Sequence, residues 1–137
     1  MAGDFTIEYV ELADRHRPAR DFIENLDDDA AAKVDALISR LRAHGTQMQG
    51  KFVTKLTKDI FELRVKHFDR IFRVLFFYQP GRMIVLKSDF QKQTQRTPPG
   101  EIKTAERLRD LWLRYRNHYP QSVEERRKIL RREFEGQ

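Results

Sequence analysis

The sequence predicts an α+β domain: a small antiparallel sheet, made of an N-terminal strand and a three-stranded meander, with two N-terminal helices and a C-terminal helix. Three observations predict it. Between Ile60 and Phe90, three short runs rich in β-branched and aromatic residues are separated by polar breaks, as in consecutive antiparallel strands. From Ala30 onward, Ala30, Val34, Leu37, Ile38 and Leu41 recur at helical spacing. Beyond Pro98 and Pro99, Ile102, Ala105, Leu108, Trp112 and Tyr115 form a second apolar stripe.

Taken in order, Phe5 to Leu12 alternates well enough for a first strand, with Phe5, Ile7 and Tyr9 on one side. Asp14 is a candidate cap for a short helix over Arg17 to Leu26, and Pro18 suits its first turn. Asp27, Asp28 and Asp29 stop that helix and cap the next, which ends at Gly45 after Arg40 and Arg42. Gln47 to Asp59 reads as a connection with a short ordered piece. In the meander, Phe61, Leu63 and Val65 oppose Glu62, Arg64 and Lys66, while Phe72, Val74, Phe76 and Tyr78 oppose Ile71, Arg73, Leu75 and Phe77. Strict alternation then sets Ile84, Leu86, Ser88 and Phe90 against Met83, Val85, Lys87 and Asp89. One face is expected to be apolar and to carry the helices; the other mixes Arg64, Arg73 and Lys87 with apolar neighbours. Pro120 breaks the last helix, dividing the chain into a domain over 1–119 and a basic helical extension over 120–137.

The 137 residues suffice for one domain with a real core, and 35% charged residues suit a heavily charged surface. No run is apolar enough for a membrane span and the N-terminus lacks a secretory pattern, so a cytoplasmic location is expected. The chain has no cysteine, which excludes disulfides, thiolate nucleophiles and cysteine-bound metals. A formal net charge of +6 favours an anionic partner, nucleic acid above all.

Cations inside strands are the feature a purely structural sheet does not require. The strings Glu62-Leu63-Arg64-Val65, Arg70-Ile71-Phe72-Arg73-Val74-Leu75-Phe76-Phe77 and Phe90-Gln91-Lys92-Gln93-Thr94-Gln95-Arg96-Thr97-Pro98 resemble the RelE/ParE toxin superfamily, and within it the phage-derived, HigB-like branch. The resemblance spans Phe5 to Tyr119; Gln93 and Arg96 stand where that branch usually has lysine. It implies the toxin of a type II toxin–antitoxin system: a ribosome-dependent mRNA endonuclease that inhibits translation and is silenced by a cognate helix-turn-helix antitoxin. A ParE-like toxin that binds DNA gyrase without cutting RNA, and a phage accessory protein that kept the fold without activity, are the alternatives.

RNA cleavage by internal attack of the 2′-hydroxyl needs a held phosphate, proton transfer and stabilised phosphoryl charge. His16, His44, His67 and His118 are scattered without ligand spacing, and Asp27 to Asp29 read as a cap, so no metal or other cofactor is expected. Fixed cations can supply most of the stabilisation. Arg64 and Arg73 are therefore the candidate phosphate clamp, with Lys87 or Lys92 in proton transfer or charge stabilisation. Against this, Arg64 pairing with Glu62 and Lys87 as an exposed strand residue are the structural readings. Lys51, Lys55, Lys58, Arg70 and Arg96 are candidate RNA contacts, although Arg70 reads better as an exposed residue at the start of its strand. Phe77, Tyr78 and Phe90 are candidates for base stacking, although Tyr78 and Phe90 read better as core.

Overall fold

The computed structural model describes residues 5–45, 52–91 and 96–119, with 127, 128 and 131 of the C-terminal extension. The element order is β1 (Thr6–Tyr9), α1 (Pro18–Glu24), α2 (Asp28–His44), β2 (Val53–Lys55), β3 (Phe61–His67), β4 (Arg70–Gln79), β5 (Arg82–Gln91) and α3 (Pro99–Tyr115). The α+β class, the two N-terminal helices and the C-terminal helix agree with the sequence. The sheet differs in two respects. It has five strands in the order β1-β5-β4-β3-β2, and β1 runs parallel to β5, so it is mixed where an antiparallel sheet was expected. The additional strand, β2, is the short ordered piece between α2 and β3, paired antiparallel through Val53 and Leu63.

Helix α2 begins where the sequence places its cap. The Asp27 carboxylate accepts the Ala30 N–H at 3.2 Å and also takes Arg70 Nη1 at 3.1 Å, tying the helix start to β4. Gly45 ends the helix at φ 54°, and a Cβ there would stand 2.3 Å from the Phe5 ring, so only glycine fits. Helix α1 starts differently from expectation: the Asp14 carboxylate accepts from His16 N, while Asp21 takes the Arg17 N–H. Arg20 then joins the layers, reaching Asp35 of α2 at 2.9 Å and lying over the Tyr9 ring.

Both faces of the sheet are covered, which corrects the expectation of one helix-bearing face. Ala19, Ile23, Val34, Ile38 and Leu41 of α1 and α2 pack on Leu63, Val65, Phe72, Val74, Phe76, Met83 and Val85. On the other side, Ala105, Leu108, Leu111 and Trp112 of α3 pack on Ile60, Leu75, Phe77, Ile84 and Leu86. A β-bulge explains the regrouping of β5. Leu75 faces Lys87 but Phe76 faces Val85, leaving Leu86 as the extra residue. Met83 and Val85 therefore point to α1 and α2, whereas Lys87 and Asp89, two and four positions on, share the α3 side with Arg73. Among the described residues no helix is long and apolar enough to cross a membrane.

The Asp27 pair generates a pH prediction. Arg70, and then the Ala30 N–H, hold the Asp27 carboxyl below its ordinary value of 3.8. A depressed acid contributes stability that is complete above its unfolded-state pKa and is lost as the pH falls through the lower folded-state value. Asp27→Asn keeps a capping oxygen and removes the charge. Its melting temperature should fall less than that of the wild type between about pH 6 and about pH 3; equal falls in thermal melts would refute the coupling.

Candidate functional site

The register brings the strand cations to one face. Arg64 of β3 stands directly opposite Arg73 of β4, Arg73 opposite Asp89, and Leu75 opposite Lys87. Two arginines side by side repel unless each is neutralised, and here each strand cation has a carboxylate. Arg64 Nε lies 3.3 Å from Glu62 Oε1. Arg73 donates from Nε at 3.0 Å and Nη2 at 3.4 Å to the two oxygens of Asp89. Lys87 Nζ is bonded to Glu101 in the first turn of α3.

Exposure separates these groups. Arg73 is only 2% exposed, and its Nη1 has no hydrogen-bond partner among the described residues. Arg64 and Lys87 are half-buried. Asp89 and Glu101 act on each other as well as on the cations. Burial, reinforced by Glu101, pushes the Asp89 carboxyl up against the pull of Arg73. Burial also opposes ionisation of Glu101, but Lys87, Asp89 and Arg73 outweigh it and bring that carboxyl below its ordinary value. Arg73, Asp89, Glu101 and Lys87 thus form a chain of alternating sign linking β4, β5 and α3.

Beside this chain, between β2, β3 and the start of α3, lies a groove of about 650 Å³. Arg64 and Arg96 bring cations to it, Glu62 lies at its wall, and Thr97, Pro98 and Pro99 close one side. Lys55 also borders the groove, but it pairs with Phe61 and its ammonium lies 5.9 Å over that ring, toward the α1 and α2 face. Glu62 is buried, held by the Thr97 hydroxyl and by Arg64. Arg96 is exposed at the mouth. Pro98 and Pro99 start α3 without donating backbone N–H groups, and Glu101 N donates back to Pro98 O.

Of the residues singled out from the sequence, Arg64 and Arg96 come together in the groove; Lys55 borders it with its ammonium turned to the Phe61 ring, and Arg73 and Lys87 are not part of its lining. Lys58 is exposed in the β2–β3 connection. Arg70 departs from the expected RNA surface: it lies on the α1 and α2 face, bound to Asp27 and stacked over Phe72. Lys51 and Lys92 lie outside the described residues, as does most of the 120–137 extension. Phe77 is core, packed against Trp112 and Arg109. Tyr78 is half-buried against Phe61, Phe76 and Phe5. Phe90 stays 48% exposed at the edge of the core, beside Phe22 and Phe72. The described histidines form no ligand set, since no cluster able to hold a metal occurs among the described residues. Sequence reasoning missed the carboxylates of Asp89 and Glu101; the acid within the Glu62-Leu63-Arg64 string was the only one whose pairing was legible.

Residues 21–110 match the family described as phage-derived protein Gp49-like (DUF891). The chain belongs to this family. Gp49-like proteins fall within the RelE/HigB-like toxin superfamily, and the match runs from α1 into the middle of α3, so it includes every element of the groove. No curated protein matches the chain. The Gp49-like character accounts for a toxin-type fold and for an antitoxin as the expected class of partner.

The Arg73–Asp89 pair has a consequence for mutagenesis. Arg73→Ala empties the space of a buried side chain and leaves the half-buried Asp89 carboxylate without its counter-charge, and should cost about 3 kcal/mol of stability. The double variant Arg73→Met/Asp89→Leu removes both charges and should recover most of that loss in urea unfolding. A fully stable Arg73→Ala protein would contradict the pairing.

Proposed function

We propose that this Gp49-like protein is a HigB-type toxin of a type II toxin–antitoxin pair, and that it cleaves mRNA on the ribosome in the cytoplasm without a metal. The observation that carries the reading is the groove in which Arg64 and Arg96 stand beside the buried Glu62, in a chain of a toxin-type family. In the proposed step the 2′-oxygen bonds to the neighbouring phosphorus as its proton leaves, the bond to the 5′-oxygen breaks, and that oxygen takes up a proton. Arg64 and Arg96 hold the non-bridging phosphoryl oxygens, on which charge accumulates, with the planar fork of Arg64 fixed by Glu62. Arg73 acts as a buried cation that positions Asp89, with its Nη1 group unpartnered among the described residues. Lys87 is restrained by Glu101; Lys92, which follows β5 in sequence, is the candidate for proton transfer. Lys51, Lys55 and Lys58 serve as backbone contacts whose contribution falls with salt. A helix-turn-helix antitoxin is the proposed silencing partner.

The test is induction in growing cells followed by primer extension on translated messages. Discrete cuts are expected. Arg96→Ala removes an exposed cation, and Arg64→Lys keeps the charge beside Glu62 while losing the fork, so neither should unfold the domain. Together they should lower cleavage by about 10²-fold or more, with melting temperature unchanged. A DNA-damage response without RNA cuts would overturn the nuclease and favour a gyrase-binding toxin.

A further inference from the structure

We propose that the tip of the β3–β4 hairpin is a nucleobase-stacking platform, in which Phe68 receives a base of single-stranded RNA next to the segment held at Arg64. The proposal deepens the nuclease reading and rests on it for the identity of the ligand.

Phe68 is 80% exposed, more than any other large hydrophobic residue described. It is the first of two loop residues inside the closing pair His67 and Arg70, and it adopts φ 57°. A two-residue hairpin with a positive φ at its first loop position calls for glycine, since a side chain there crowds the backbone. The sheet's other two-residue hairpin, Pro80-Gly81, has its positive φ at the second loop position, and glycine occupies it with Gly81 at φ 71°. The β3–β4 tip instead accepts a strained aromatic ring and exposes it to water, both against folding preference.

The surroundings indicate what the ring takes. His67 abuts it edge to face, with ring centroids 4.6 Å apart. Lys66 is exposed and shares its side of β3 with Arg64, so a track of cations leads from the groove toward the tip. The tip lies three to four residues along the strand from Arg64, about 10–14 Å at the rise of an extended chain, within reach of nucleotides flanking a phosphate bound there. Arg70 faces away to Asp27, and Asp69 is the acid of the turn. A protein partner would need contiguous apolar area. The tip offers one ring among Lys66, His67 and Asp69, and the other exposed large hydrophobic among the described residues, Phe90, belongs to the α1 and α2 face. A ring beside a cation matches a base and its phosphate.

Binding of a short fluorescein-labelled oligoadenylate, followed by anisotropy, tests the platform. Phe68→Gly suits the backbone, so it should raise the melting temperature while weakening binding about 5- to 100-fold. Phe68→Trp should bind as wild type, and the added indole emission should be quenched by the RNA. Unchanged affinity in Phe68→Gly, an unquenched indole, or no binding by the wild type overturns the platform. Loss of antitoxin binding with RNA binding intact also overturns it, in favour of a protein contact. Cleavage by wild type with full activity in Phe68→Gly refutes the platform and spares the nuclease. Phe68-dependent binding without any cleavage refutes the nuclease and spares the platform.

Discussion

Arg73 sits on the central strand almost without exposure, and its charge is tolerable there only because Asp89 accepts two of its N–H groups from the neighbouring strand. Much of the α3 face follows from that requirement. Asp89 reaches Arg73 because the bulge at Leu86 shifts the facing of β5 by one residue. The same shift puts Lys87 on that face, where it binds Glu101 and so pins the first turn of α3. With the helix start fixed, Ala105, Leu108, Leu111 and Trp112 fall over Leu75, Phe77, Ile84 and Leu86 and close the second core. One inserted residue thus converts a buried cation into the docking of a helix.

The groove depends on this arrangement at one remove. Thr97, Pro98 and Pro99 precede α3, and their position follows from where Glu101 is held. Thr97 in turn donates to Glu62, whose other oxygen faces Arg64. The cations therefore divide into two kinds. Arg73 and Lys87 are bound into a chain with Asp89 and Glu101 that carries no net charge when both acids are ionised. Arg64 and Arg96 border the groove with the single carboxylate of Glu62 beside them. The excess positive charge is thus at the surface, where an anion can meet it, and its orientation is set by buried neighbours.

The sequence revealed what periodicity encodes. Helices α2 and α3 each bury a wide apolar stripe, and β3 and β4 alternate cleanly, so their existence and the common facing of Arg64 and Arg73 were legible. Three features were not. Val53, Thr54 and Lys55 are too short a run to signal a strand and become one only by pairing with β3. The parallel pairing of β1 with β5 depends on the path taken by α1 and α2, which strand composition does not encode. The bulge at Leu86 is one residue in an alternating run, and strict alternation assigned Ile84 and Leu86 to the wrong side. The site inherited these gaps: Asp89 and Glu101 are brought to the cations by the bulge and by helix docking, neither of which leaves a local signature.

The acid–base character of the groove follows from what surrounds it. His16 is bonded to Asp21 beside α1, His44 is exposed at the end of α2, His118 follows α3, and His67 sits at the hairpin tip, so no described histidine borders the groove. Lysine and arginine keep their charge throughout the neutral range, and Glu62 spends both oxygens on Thr97 and Arg64. A site of this composition is suited to holding phosphoryl charge more than to shuttling protons at neutral pH. Cleavage there would depend on how well the RNA is aligned for its own 2′-oxygen to attack. Alignment requires contacts on both sides of the reacting phosphate. That is where an exposed cation at Lys66 and an exposed ring at Phe68 acquire significance, because they extend the Arg64 surface along the strand without disturbing the buried charges that hold it.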